Sequence, residues 1–134
     1  MGTIVVGYVS KPEGRAALRR AAEEARLRNL KLVVIHSYPG GRESNPDDAV
    51  QSEAELEDVK NDLGALGVEH EVRQLVRGRE PAEDLISAAE DVKAELIVIG
   101  LRRRSPVGKL ILGSNAQRIL LDASCPVLAV KSTY

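Results

Sequence analysis

The chain of 134 residues carries 19 basic and 20 acidic side chains for a net charge of −1, which suits one domain spanning 1–134 and leaves no bulk field to gather nucleic acid or an anionic membrane. Its aromatic side chains are three tyrosines, with neither Phe nor Trp, too few for base stacking on single strands. The longest apolar runs are strand-length, far short of the roughly 20 residues that span a bilayer, and Met1-Gly2-Thr3 enters a strand with no signal-peptide core, so a soluble cytoplasmic protein is expected; the single cysteine, Cys125, suits a reducing compartment.

Thr3 to Val9 is a nearly continuous apolar run, as in a strand covered on both faces. Pro12 suits the first turn of a helix, and Ala17, Leu18, Ala21, Ala22 and Ala25 recur at helical spacing up to about Arg28. Leu32 to Tyr38 reads as the second strand. The segment Pro39-Gly40-Gly41 through Pro46 is the most turn-rich stretch and a candidate lid. From about Asp47 to Leu66 the pattern is helical and acidic, with Ala49, Val50, Ala54, Leu56, Val59 and Leu63 as its apolar side and Gly67 as its end. Val68 to Val76 alternates apolar and polar, the period-two pattern of a half-exposed strand near a sheet edge. A third helix starts near Pro81 and carries Leu85, Ile86, Ala88, Ala89 and Val92. Leu96 to Gly100 is the fourth strand, Ser114 to Asp122 the last helix, and Pro126 to Lys131 the fifth strand. Strands separated by helices imply right-handed crossovers, hence an α/β fold with a parallel sheet between two helical layers. Ligands of such sheets bind beyond the carboxyl ends of the strands, where the strand order reverses. The turns after Val9, Tyr38 and Gly100 are therefore expected to meet at one site.

The segment from Ile97 through Gly100 and Gly108 to Gly113-Ser114-Asn115 runs a strand into a glycine turn and then a glycine-hydroxyl pair that opens a helix. Backbone N–H groups at a helix start lack intrahelical partners and lie at the positive end of the dipole, so they can hold an anion without a charged side chain. Arg102, Arg103 and Arg104 stand in the middle of this cradle and either grip a phosphate or block it. Several other chemistries are excluded. Gly108-Lys109 has no glycine five residues earlier and is followed by Leu110, so it is not a nucleotide-triphosphatase loop. Neither G-x-G-x-x-G nor G-x-S-x-G occurs. A phospho-accepting receiver would need acidic residues where Tyr8-Val9 and Val76-Arg77 stand. His36, His70 and Cys125 form no pair with metal-ligand spacing, and no catalytic constellation emerges.

Simpler roles are available for each residue. Gly100 and Gly113 can serve tight turns and helix-sheet packing, the arginine run a solvated loop face, and Ser105-Pro106 the cap of a short helical turn. Lys109 can face solvent, His36 can be a hydrogen-bonded structural residue, and Cys125 a small packed side chain. The acidic stretch Glu53 to Asp62 reads as the wet face of its helix.

Gly100, the cradle ending in Gly113-Ser114, the strand Cys125-Pro-Val-Leu-Ala-Val-Lys131, the segment Gly78-Arg-Glu-Pro-Ala-Glu-Asp-Leu-Ile86 and the opening Val6-Gly7-Tyr8-Val9-Ser10 together resemble the universal stress protein family over essentially the whole chain. The resemblance implies a five-stranded parallel sheet in the order 3-2-1-4-5, of the adenine nucleotide alpha hydrolase-like kind. It also implies a homodimer joined through the fifth strand (Val127, Leu128, Ala129, Val130) and, in one branch, ATP or AMP held at the strand ends. That branch carries G-x2-G-x9-G-[ST] and an aspartate ending the first strand. On this pattern the nucleotide-binding positions are Val9, Ser37, Gly100, Arg103, Gly113, Ser114 and Asn115. Two of them depart from it. The second glycine is Arg103, and the aspartate is Val9, which removes a polar contact worth on the order of 1–3 kcal/mol if its partner stays buried. A guanidinium at 103 could grip phosphate by a bidentate hydrogen bond or fill its space. Two readings follow: a non-enzymatic dimeric regulatory protein with a modified, weakened nucleotide site, and an adenine-nucleotide-binding protein with slow ATP hydrolysis.

Overall fold

Alternating side chains on three central strands divide the core into two halves, and each half is closed by two helices. A computed structural model describes residues 2–39, 46–77, 81–101 and 113–132. In chain order the elements are β1 (Thr3–Tyr8), α1 (Pro12–Arg28), β2 (Lys31–Pro39), α2 (Pro46–Ala65), β3 (His70–Arg77), α3 (Pro81–Asp91), β4 (Leu96–Leu101), α4 (Ser114–Asp122) and β5 (Val127–Lys131). The sheet is parallel with the order β3-β2-β1-β4-β5, as the resemblance implied. Ile4, Val6, Leu32, Val34, Leu96 and Val98 point to one face, where Ala17, Ala21, Ala22 and Ala25 of α1 and Leu56, Val59 and Leu63 of α2 cover them. Val5, Val33, Ile35, Ile97, Ile99 and Leu101 point to the other, under Ala82, Leu85, Ala88 and Ala89 of α3 and Ile119 of α4. Strands buried on both faces need no polar alternation, which is why β1, β2 and β4 read as continuous apolar runs.

Element ends differ from the sequence expectation by a residue or two, and in one place the cause is visible. The third strand starts at His70 instead of Val68. Gly67 takes a left-handed backbone, φ 73°, and the Gly67 and Val68 amides donate to the Gly64 and Leu63 carbonyls, at 3.1 Å each. This closing motif at the end of α2 consumes the Val68 amide before the strand ladder can use it. The same pairing ends α1, with Asn29 left-handed and the Leu30 amide on the Ala25 carbonyl, and α3, with Lys93 left-handed and the Ala94 amide on the Ala89 carbonyl. Each helix thus hands the chain to the next strand at the same end of the sheet. The connections at the opposite end are free to build a site.

Two edges bound the sheet. β3 borders β2 alone, consistent with its alternating pattern, and β5 borders β4 alone, with Val127, Leu128, Ala129 and Val130 all half-buried. Among the described residues no helix is long and apolar enough to cross a membrane.

Candidate functional site

The carboxyl ends of β1 and β4 open into a cleft of about 190 Å³, lined among others by Gly7, Tyr8, Val9, Gly14, Gly100 and Asn115. Its floor depends on an unusually close approach of backbones. After β1 the chain turns sharply, the Lys11 amide donating to the Val9 carbonyl at 2.8 Å, and α1 begins at once with Pro12. The first turn of α1 then lies against both strand ends. A Cβ on Gly14 would stand 1.9 Å from the Val9 carbonyl oxygen, and one on Gly100 would stand 2.1 Å from the Glu13 carbonyl oxygen. Neither position can carry a side chain without moving α1. Close packing therefore accounts for Gly100 without any ligand.

Gly113 is different. It caps the N-terminus of α4 with an ordinary extended backbone, φ −70° and ψ 166°, and makes no side-chain cap bond. A Cβ there would meet nothing within 4 Å among the described residues. Among the described residues, neither backbone conformation nor local packing demands a glycine at 113. Ser114 and Asn115 follow in the exposed first turn, where the amides have no intrahelical acceptor and the dipole is positive. Asn115 reaches the cleft lining. An anion approaching this turn closely would explain the absence of a side chain at 113.

Val9 lies just beyond the end of β1, 41% exposed and on the cleft wall. Ser37 sits in the β2 backbone in register with Leu75 of β3. Arg102, Arg103, Arg104, Ser105, Pro106, Gly108, Lys109 and the turn-rich segment 40–45 lie outside the described residues. The structure thus brings Val9, Gly100 and Asn115 to one cleft and places Gly113 and Ser114 at the adjoining helix start.

Behind the cleft wall is a polar cluster that the sequence reading missed. Glu55 of α2, read as part of a solvated face, instead turns inward and accepts hydrogen bonds from the Tyr8 hydroxyl and, at 2.5 Å, from the Ser10 hydroxyl. Arg15 of α1 adds its charge at 4.0 Å. Burial pushes the Glu55 carboxyl up, but the two hydroxyls and the charges of Arg15 and His36 outweigh it and hold the group below its ordinary range. Burial, then the bond to Glu55 and its negative charge, raise the Tyr8 phenol well above 10.0. The His36 ring lies 5.9 Å from that of Tyr8. Burial lowers the His36 pKa against the opposing pull of Glu55. The signal for Glu55 was present, because Glu55, Val59 and Leu63 follow one another at i, i+4, so the inward stripe of α2 continues onto a carboxylate.

Cys125 packs partly buried against the second core half, and burial raises its thiol pKa. His70 places Nδ1 2.8 Å from the Val68 carbonyl, a local structural bond. Among the described residues no group of three or more His, Cys, Asp or Glu could hold a metal ion.

Known proteins are similar to this chain in sequence and fold. The chain is 47% identical over 128 residues to a universal stress protein of Mycolicibacterium smegmatis, covering 96% of each chain. A universal stress protein structure from Archaeoglobus fulgidus is similar at 42% identity and a TM-score of 0.84, covering 98% of this chain and 99% of the other. A second, from the same organism in complex with dAMP, is similar at 36% identity and a TM-score of 0.78, with 98% of each chain covered. The sequence profile of the universal stress protein family matches residues 1–131, and the chain belongs to that family.

Proposed function

We propose that this is a cytoplasmic, non-enzymatic regulatory protein of the stress response, one domain over residues 1–134, working as a homodimer with a strand-end cleft that receives an adenine nucleotide weakly. The carrying observation is the pairing of Gly113 with Val9. Gly113 leaves the start of α4 open to close approach, so the amides of Ser114 and Asn115 can hold a phosphate. Val9 presents an alkyl side chain to the cleft, where a carboxylate could have accepted hydrogen bonds from the nucleoside. Anchoring at the phosphate end is thus retained and polar recognition at the other end is reduced. The apolar surfaces of Val9 and Ile35 on the cleft wall suit the face of a base but do not select it.

A second reading, full-strength binding of ATP or AMP with slow hydrolysis, is favoured by the 36% identity to a relative solved with dAMP. Calorimetric titration with dAMP and ATP, on the parent and on Val9→Asp, separates the two. Weak binding by the parent and gain of about tenfold or more in the variant supports the weakened site. Tight parental binding that Val9→Asp fails to improve overturns it in favour of the second reading.

A further inference from the structure

Beside the strand-end cleft, at the same carboxyl end of the parallel sheet, a groove of about 500 Å³ runs between α1 and the end of β5. Arg15, Arg19 and Arg20 line it from the helix, and Lys131 faces them from the strand. Pro12 and Ala16 leave its floor short, so the long cationic side chains bound the open space. Among the described residues Glu23 is the single carboxylate in the lining. It lies 3.7 Å from Arg20, which also bonds Glu24 at 2.9 Å. Arg15 has a distant share, at 4.0 Å, in a Glu55 already held by two hydroxyls. Arg19 and Lys131 form no ion pair among the described residues.

Arg15 and Arg19 are spaced i, i+4 on one exposed helix face, where like charges repel, and Lys131 adds a third cation from a different element. The chain as a whole has a net charge of −1, so this concentration of positive charge is local and not a by-product of a basic protein. The volume lies in the range of small-ligand sites. We propose that the groove between α1 and the end of β5 is a second, separate anion site that binds a compact oligophosphate, through the guanidinium groups of Arg15 and Arg19 and the ammonium of Lys131. Guanidinium forks match phosphoryl oxygens bidentately, and the lysine supplies a point charge that tolerates several orientations. The proposal is independent of the nucleotide reading, because it uses none of the residues of the strand-end cleft.

Calorimetry with sodium tripolyphosphate at low salt tests it, on the parent, on the double variant Arg19→Gln/Lys131→Gln, and on Arg26→Gln as a control at the far end of α1. With Arg15 left intact, circular dichroism suffices to confirm folding of the variants, since the three substituted positions, Arg19, Arg26 and Lys131, are exposed. The expected result is saturable binding that weakens by about tenfold or more in the double variant, stays unchanged in the control, falls with added salt and persists in saturating dAMP. Absence of binding at millimolar tripolyphosphate, or equal binding by the double variant, overturns the proposal. So does displacement by dAMP, which would assign the anion to the strand-end cleft. Tighter binding of hexaglutamate than of tripolyphosphate overturns the oligophosphate assignment and makes the groove a dock for an acidic polypeptide.

Discussion

The Tyr8 hydroxyl at the end of β1 donates to the Glu55 carboxylate of α2, a contact between residues 47 positions apart. With the Ser10 hydroxyl on the other carboxylate oxygen, it fastens α2 to the chain that forms the cleft wall. Tyr8 is only 3% exposed, so truncating its hydroxyl removes a charge-assisted bond in a poorly solvated place. Tyr8→Phe should lower stability to urea by about 1.5–3 kcal/mol. The bond also makes a pH signature. Glu55 has a folded pKa below its ordinary 4.5, so its contribution is complete above that value and is lost as pH falls through the folded pKa. Stability measured from neutral pH into that acid window should fall more steeply for the parent than for Glu55→Gln. Parallel profiles would show that Glu55 does not carry the effect.

The glycines of the site should separate under substitution. Gly14→Ala and Gly100→Ala each set a methyl group about 2 Å from a backbone oxygen, and the strain of such overpacking is typically 1–3 kcal/mol. At Gly14 this outweighs the roughly 1 kcal/mol that alanine gains in helix propensity. Gly113→Ala meets nothing among the described residues and should leave thermal stability nearly unchanged. Its effect should appear in nucleotide titrations, as weaker binding at the α4 start. Equal destabilisation at all three positions would mean that Gly113 too is a packing residue.

Apolar periodicity made the elements legible, while the strand order came from the family resemblance: β1, β2 and β4 carry apolar runs rich in β-branched residues and leucine, and α4 begins at Ser114 and ends at Asp122 as the pattern indicates. The site was legible in part. Gly113-Ser114 stands out as a motif because a helix start without a side chain is a local feature. Helix-sheet packing was among the roles open to Gly100, but its partner, the Glu13 carbonyl, was hidden, because only the fold brings that group against β4. Glu55 was misread because three carboxylates around it, Glu53, Glu57 and Asp58, do face water, and composition alone does not separate one inward member from them.

The exposed edge of β5 leads to a test of assembly. Val127 to Val130 pair with β4 on one side and are half-buried, while Leu121 of the preceding α4 is 79% exposed. An apolar edge of this kind invites pairing with a second strand, and a twofold mate would satisfy both the backbone groups and the side chains. Light scattering at micromolar concentration should give a dimer mass for the parent and a smaller mass for Val127→Lys. A monomeric parent, or an unchanged mass in a folded variant, would remove β5 from the interface.

If Arg103 takes part in the cradle as the family pattern implies, two substitutions give opposite signs. A guanidinium that grips phosphate makes Arg103→Ala bind ATP or AMP more weakly, with binding that falls as salt rises. A guanidinium that fills the phosphate's space makes Arg103→Gly bind more tightly, since glycine permits close backbone approach. Blocking is the expected outcome, because the alkyl side chain of Val9 on the cleft wall points the same way, to a site relieved of strong nucleotide binding. On that basis Arg103→Gly should strengthen dAMP affinity, and Val9→Asp combined with it should strengthen it further through a regained polar contact of on the order of 1–3 kcal/mol. Weaker binding by Arg103→Gly would establish the arginine as a ligand, and undetectable binding in parent and variants alike would remove the nucleotide from the cleft.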